Sequence, residues 1–220
     1  MKKSVSICFF LIAAAIAAHA QQHAFWNEVE AFKKADSVKA YPENAILFAG
    51  SSSFRMWKNL EQDFYGYTVI NRGFGGSKLE DLLFYSNEIL FPHKPRQIVI
   101  YCGENDLASS DTVTSQVVIG RFRKLFYLIR EKMPDVQITY VSIKPSPSRK
   151  KLLPKIKEAN KGIRKFIRKT GRSNYVDVFH KMMNGKNEIR EDIFINDSLH
   201  LNDKGYAIWQ RAIKPYLTKD

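Results

Sequence analysis

The run Gln97-Ile98-Val99-Ile100-Tyr101-Cys102 restricts the fold more than any other stretch of the chain. It is almost continuously apolar, the pattern of a strand buried on both faces, and such strands belong to parallel sheets covered by helices. Residues 45–49, 67–71, 136–142 and 174–178 form similar short runs. Between them the spacing predicts helices over 26–40, 78–89, 114–133, a segment beginning near Leu152, and 203–217. In the 78–89 segment Leu79, Leu82, Leu83 and Tyr85 turn inward. In the third, Val118, Phe122, Leu125, Phe126 and Ile129 recur at helical spacing until Pro134 stops them. The fourth carries Ile156, Ala159, Ile163, Phe166 and Ile167 on one face, with Pro154 in its first turn and Gly171 past its end. Strands alternating with helices imply right-handed βαβ units, hence an α/β fold with a parallel sheet between two helical layers.

In such open sheets ligands bind beyond the carboxyl ends of the strands. Three polar turns fall there. Gly50-Ser51-Ser52-Ser53 follows the first strand and leads into a helix from about Phe54. Gly73-Phe74-Gly75-Gly76 follows the second, and Gly103-Glu104-Asn105-Asp106 the third. A serine cluster alone is an ordinary turn, but at a helix start it lies beside free backbone N–H groups that suit an oxyanion. A serine nucleophile also needs a base, with an acid to orient it. His23 lies in the leader, and His93 precedes the third strand, at the wrong end of the sheet. His180 and His200 each follow an aspartate by three residues, Asp177 and Asp197. Asp177 falls in the run of the fifth strand, whereas Asp197 and His200 lie in a loop that can reach back over the sheet, which favours the latter pair.

The N-terminus has the three parts of an export signal: Lys2 and Lys3, an apolar run over 7–18, and Ala18-His19-Ala20 as a cleavage site. The apolar run is shorter than the roughly 20 residues of a spanning helix. The expected organisation is therefore a signal over 1–20 and one domain over 21–220, periplasmic or secreted. Cys8 lies within the signal, leaving Cys102 without an internal disulfide partner. The net charge of +13 suits loose contact with anionic glycans or a membrane surface. The plainer reading, which the sequence favours, is that residues such as Lys157, Lys161 and Arg164 solvate a helix face. Export argues against nucleic acid.

Taken together, Gly50-Ser51-Ser52-Ser53, the block from Asn71 to Gly76, Gly103-Glu104-Asn105-Asp106 and Asp197-Ser198-Leu199-His200 resemble the SGNH (GDSL-type) hydrolase family, in the family's order and across nearly the whole chain after residue 20. The resemblance implies a flavodoxin-like three-layer α/β/α sandwich with a five-stranded parallel sheet ordered 2-1-3-4-5. It implies Ser52 as nucleophile, His200 as base and Asp197 as the orienting acid. The oxyanion donors would be the backbone N–H groups of Ser52 and Gly76 and the side-chain amide of Asn105, with no metal or cofactor. Ser51 stands where the family usually has aspartate, and on spacing alone Ser51 or Ser53 could replace Ser52. The glycine donor is ambiguous between Gly75 and Gly76, of which Gly76 lies nearer the following helix. Arg55, Arg72 and Asp106 are either supports of the site or structural. The activity implied is an exported esterase that removes a small acyl group such as acetyl from a carbohydrate or lipid, the acetylhydrolase-like branch being similar in its Asn-x-Gly-x-x-Gly and Leu-His-Leu-x-x-x-Gly-Tyr segments. The alternative is a non-catalytic glycan-binding protein on the same fold.

Overall fold

The structure is a computed structural model and describes residues 23–39 and 41–219; the segment read as an export signal lies outside them. Five strands, β1 (Ile46–Gly50), β2 (Val69–Gly73), β3 (Gln97–Tyr101), β4 (Gln137–Val141) and β5 (Ser173–Val176), form one parallel sheet in the order β2-β1-β3-β4-β5. This is the fold class that the alternating pattern and the family resemblance imply. The α-helices are α1 (Trp26–Val38), α2 (Ser52–Arg55), α3 (Leu60–Asp63), α4 (Leu79–Phe84), α5 (Ser86–Ile89), α6 (Glu104–Ala108), α7 (Ser115–Lys132), α8 (Leu153–Ile167) and α9 (Asp203–Ile213).

Side chains alternate across the sheet, as strand geometry requires. Leu47, Ala49, Ile98, Ile100, Ile138 and Tyr140 enter one core with residues of α1, α4, α5, α7 and α8. Ile46, Phe48, Val99, Tyr101, Val141 and Val176 enter the other, closed by Phe54 of α2, Leu60 of α3 and Trp209 of α9. The register sets Gly50 opposite both Gly73 and Tyr101. The first three strands therefore end at one level, and their turns open onto a common rim.

The boundaries depart from the local pattern where tertiary packing outweighs it. β2 lies two residues beyond the 67–71 run. Asn71, Arg72 and Gly73 complete the strand instead of opening the turn, while Tyr67 is held in a turn by its N–H bond to the Phe64 carbonyl (3.0 Å). Gly73 is glycine because α2 crosses it: a Cβ there would lie 2.4 Å from the Arg55 nitrogen and 2.8 Å from the Phe54 carbonyl carbon. The helix expected from Phe54 starts at Ser52 and lasts a single turn, so its N-terminal chemistry rests on individual N–H groups, not a macrodipole. The 78–89 helix divides at Tyr85, whose ring is buried and whose hydroxyl donates to the Ala24 carbonyl (2.8 Å). β5 ends before Asp177, and α9 ends at Ile213 because Pro215 follows. α7 matches its prediction closely, capped by the Thr114 side chain, which accepts from the Val117 N–H.

Two glycines separate close contact from open space. Gly73→Ala is expected to cost about 1–3 kcal/mol of stability by overpacking. Gly120→Ala, in α7 with nothing within 4 Å of the added carbon, should gain about 0.5–1 kcal/mol from helix propensity. Urea unfolding of both variants measures the contrast, and a neutral Gly73→Ala would contradict the packing described.

Candidate active site

Ser51 and Ser53 are 3% and 2% exposed, and the Ser53 carbonyl accepts from Tyr206 Oη (2.9 Å). Ser52, between them, opens α2 with its side chain partly accessible. Its Oγ lies 2.9 Å from His200 Nε2, and His200 Nδ1 lies 2.5 Å from Asp197 Oδ2. With the ring proton on Nδ1, the imidazole donates to the carboxylate and accepts from the hydroxyl. The loop before α9 is built to hold this arrangement. Asp197 Oδ1 accepts the backbone N–H groups of Leu199 and His200 (2.9 Å each), and Ser198 takes a left-handed conformation (φ 55°) to close the turn. Burial works against ionisation of Asp197, but the His200 ring and these two N–H groups outweigh it and hold its pKa below the ordinary aspartate value.

His180 and Asp177 form a similar local pair, with Nδ1 2.7 Å from Oδ2. The His180 side chain is 73% exposed at the edge of the sheet, far from the serine cluster in strand order. His93 is buried beside Asp36 and Arg72. His23 stacks on Phe84. Of the histidines that the sequence left in contention, His200 alone meets Ser52.

The glycine turn resolves by hydrogen bonding. Gly75 has φ +35° and packs against the Phe25 ring, and its N–H donates to Glu28 Oε2 (2.9 Å). The N–H groups of Gly76 and Ser52 have no acceptor among the described residues. Gly76 also faces Asn105, whose Nδ2 would lie 3.6 Å from a Cβ at this position. The Asn105 amide is held from both ends: Arg149 Nη2 donates to its Oδ1 (2.8 Å), and its Nδ2 donates to the Ser77 carbonyl (3.2 Å). One amide hydrogen is left for a ligand. The Gly76 N–H and the Asn105 amide, which face each other, and the Ser52 N–H are thus free to donate, and such donors can stabilise negative charge on an oxygen.

Behind Asn105 lies a polar cluster that the sequence did not reveal. Glu104 accepts from Tyr101 Oη (2.7 Å), Ser146 Oγ (2.9 Å) and the Lys144 ammonium, and Arg149 Nη1 lies 3.7 Å from its Oε1. Glu104 and Lys144 are almost wholly buried. Burial alone would raise the Glu104 pKa, but Lys144 and Arg149 reverse this and hold it below the ordinary value. Lys144 and Arg149 belong to the segment Lys144-Pro-Ser-Pro-Ser-Arg149, just beyond β4. Looking past the carboxyl end of the fourth strand, as for the first three, would have found it. Glu28 was missed because it acts from α1, remote in sequence.

Arg55, Arg72 and Asp106 engage residues other than Ser52, His200 and Asp197. Arg55 pairs with Glu28 at the surface (3.1 Å). Arg72 pairs with Asp36 and lies between the Phe32 and Tyr41 rings. Asp106 accepts the Leu79 N–H (3.0 Å) and Arg121 Nη1 (2.9 Å), joining α4, α6 and α7. Trp57 and Phe74 are buried core residues.

A parallel α/β sheet with a serine, a histidine and two of its turns gathered at the carboxyl rim defines a serine hydrolase of the flavodoxin-like type. The model of the GDSL-like lipase/acylhydrolase family matches residues 36–208, and the chain belongs to that family. It is accordingly a serine ester hydrolase. Solved structures agree in fold. A GDSL-like lipase from Bacteroides thetaiotaomicron is 21% identical, with a TM-score of 0.73 over 86% of this chain and 96% of that one. A protein described as an acylhydrolase from Bacteroides fragilis is 20% identical, with a TM-score of 0.75 over 87% and 96%. A catalytic mutant of an acetylxylan esterase from Geobacillus stearothermophilus is 16% identical, with a TM-score of 0.66 over 81% and 96%. Comparison with curated protein sequences gives no match.

Arg149 is the positioning residue that the geometry singles out. Arg149→Ala should lower kcat on p-nitrophenyl acetate by roughly tenfold to a hundredfold with little change in KM, because it loosens the Asn105 amide, an expected oxyanion donor, without removing it. Arg149→Lys should restore part of the loss. An unchanged kcat in the alanine variant would show that the Asn105 amide holds its orientation without Arg149.

Proposed function

We propose that the protein is an exported serine esterase that removes a small acyl group, such as acetyl, from a carbohydrate. The observation that carries this reading is the unbroken chain Ser52–His200–Asp197 beside the Gly76 and Asn105 donors. In the proposed reaction His200 Nε2 takes the Ser52 proton as Oγ attacks the ester carbonyl carbon. The new oxyanion accepts the Ser52 and Gly76 backbone N–H groups and the Asn105 amide, each donor contributing about 3 kcal/mol to the transition state. Collapse of the intermediate breaks the ester C–O bond, and His200 returns the proton to the departing sugar hydroxyl. Water, deprotonated by His200, then attacks the acyl-Ser52 ester and releases the acid and the free serine. Asp197, held ionised, stabilises the imidazolium at each stage.

Several features support a small acyl group and a polar alcohol. A cleft of about 590 Å³ beside Arg149 is lined by Leu107, Pro147, Ser148, Lys150 and neighbouring residues. Its mixture of apolar and cationic groups suits a hydroxyl-rich leaving group better than a long acyl chain. The acetylxylan esterase with the same fold acts on an acetylated glycan.

On p-nitrophenyl acetate, Ser52→Ala and His200→Ala should each lose at least about 10³-fold in kcat, while His180→Ala keeps wild-type turnover. Equal hydrolysis by wild type and Ser52→Ala would leave a glycan-binding protein as the better reading. Export rests on the pattern of residues 1–20. Expressed with that segment in a bacterial host, the protein recovered outside the cytoplasm should begin at Gln21 by N-terminal sequencing; an intact Met1 would refute the assignment.

A further inference from the structure

The sheet is left open at β5, which pairs with β4 alone. Between this edge and α8 lies a cleft of about 580 Å³, far from the proposed oxyanion donors in strand order. Lys157, Lys161, Arg164, Lys165, Arg168 and Lys169 line one wall. The Tyr175 ring lies across from them, with the Arg164 guanidinium 5.9 Å from its centroid, and Phe179 and His180 flank the upper end.

The sequence presents these cations as an ordinary solvated face, but their surroundings differ from those of the rest of α8. On the side facing α7, Lys155 donates to the Asp111 and Val113 carbonyls (2.9 and 3.1 Å), and Glu158 accepts from Gln116 (3.3 Å) and from the Ser115 hydroxyl. None of the six cleft cations has a carboxylate within 4 Å among the described residues. Asp177, the acidic residue in the cleft lining, is engaged by His180. Lys157, Lys161 and Lys165 follow one another at intervals of four, as do Arg164 and Arg168, and like charges at that spacing repel on a helix. Cations in the last turn favour the helix dipole, but Lys157 and Lys161 lie well before it. The helix carries an uncompensated stripe, and the stripe faces a concave surface with an aromatic wall.

We propose that this cleft binds an acidic polysaccharide through its carboxylates. The stripe from Lys157 to Lys169 runs roughly 18 Å along the helix, which suits an extended chain of sugars better than a single small anion. Arginine and lysine heads can pair with successive carboxylates, while the partly exposed Tyr175 offers an apolar face to a sugar ring between them. A flat bilayer would leave the recessed aromatic wall uncovered. The upper end opens at the carboxyl end of β5, three strands and so about 14 Å across the sheet from β1. A glycan held there extends toward Ser52. This inference goes beyond the esterase reading, and binding is its readout, so either can fail alone.

The test is affinity electrophoresis of the purified protein in gels containing polygalacturonate, fully methyl-esterified polygalacturonate, or no polymer, beside flotation with phosphatidylglycerol vesicles. The triple variant Lys161→Glu, Arg164→Glu, Lys165→Glu is compared with Lys34→Glu, Lys124→Glu, Lys204→Glu, which changes the net charge equally elsewhere. The wild type and the control should be retarded by polygalacturonate alone, and the cleft variant should bind it about tenfold or more weakly. Both variants should hydrolyse p-nitrophenyl acetate as the wild type does, showing that they are folded. Equal weakening of the two variants, equal binding of the methyl-esterified polymer, or binding of vesicles without binding of polygalacturonate would overturn the proposal.

Discussion

The close passage of α2 over Gly73 is the contact on which the geometry of the site depends. Parallel register sets the ends of β1, β2 and β3 at one level, but level strand ends alone do not aim a side chain. The missing Cβ at Gly73 lets the turn carrying Ser52 lie directly on the end of β2. Asn71 fastens the same junction, with its Nδ2 donating to the Phe54 carbonyl (2.7 Å) and its Oδ1 accepting from the Gly73 N–H (2.9 Å). From the other side Tyr206 of α9 bonds to the Ser53 carbonyl and stacks on Trp57. Ser52 is thus carried by a single helical turn wedged between a strand end and a helix.

The second half of the site is held by charge. Burying Glu104 and Lys144 side by side costs desolvation that their attraction offsets only when the remaining lone pairs are filled. Tyr101 and Ser146 fill them. A buried ion pair is weak evidence for added stability, and here its geometry suggests another use. It gives Arg149 a fixed anion to lean on, and Arg149 in turn holds the Asn105 amide by its oxygen. An apolar replacement could fill the same volume but could not orient an amide.

Most of the architecture was legible in the sequence, because it is written in local periods. The buried run of β3, the helical spacing of α7, and the Pro154 start of α8 all depend on neighbours within a few residues. The displaced β2 was not legible, since it follows from Arg72 seeking Asp36 and from α2 seeking Gly73, contacts that no window reveals. The break at Tyr85 likewise follows from a hydroxyl reaching Ala24. At the site, the residues Ser52, Asp197, His200, Gly76 and Asn105 could be named from their blocks, and strand order separates His200 from His180. Lys144 and Arg149 stayed hidden because cations in a proline-rich segment look like solvated loop until their burial is known. The cations of α8 were hidden in the opposite sense: their exposure was foreseen, but not the lack of carboxylates around them.

The Ser148 N–H donates to the Ser198 carbonyl (3.1 Å). This one bond splices the segment that steadies Asn105 to the loop that bears Asp197 and His200. The loop bearing His200 and the segment steadying Asn105 therefore share a seam, and swinging either outward alone would break this bond. A bulky ester that parted these loops would forfeit that bond, at a cost of about 1 kcal/mol, whereas approach over the surface of the rim leaves it intact.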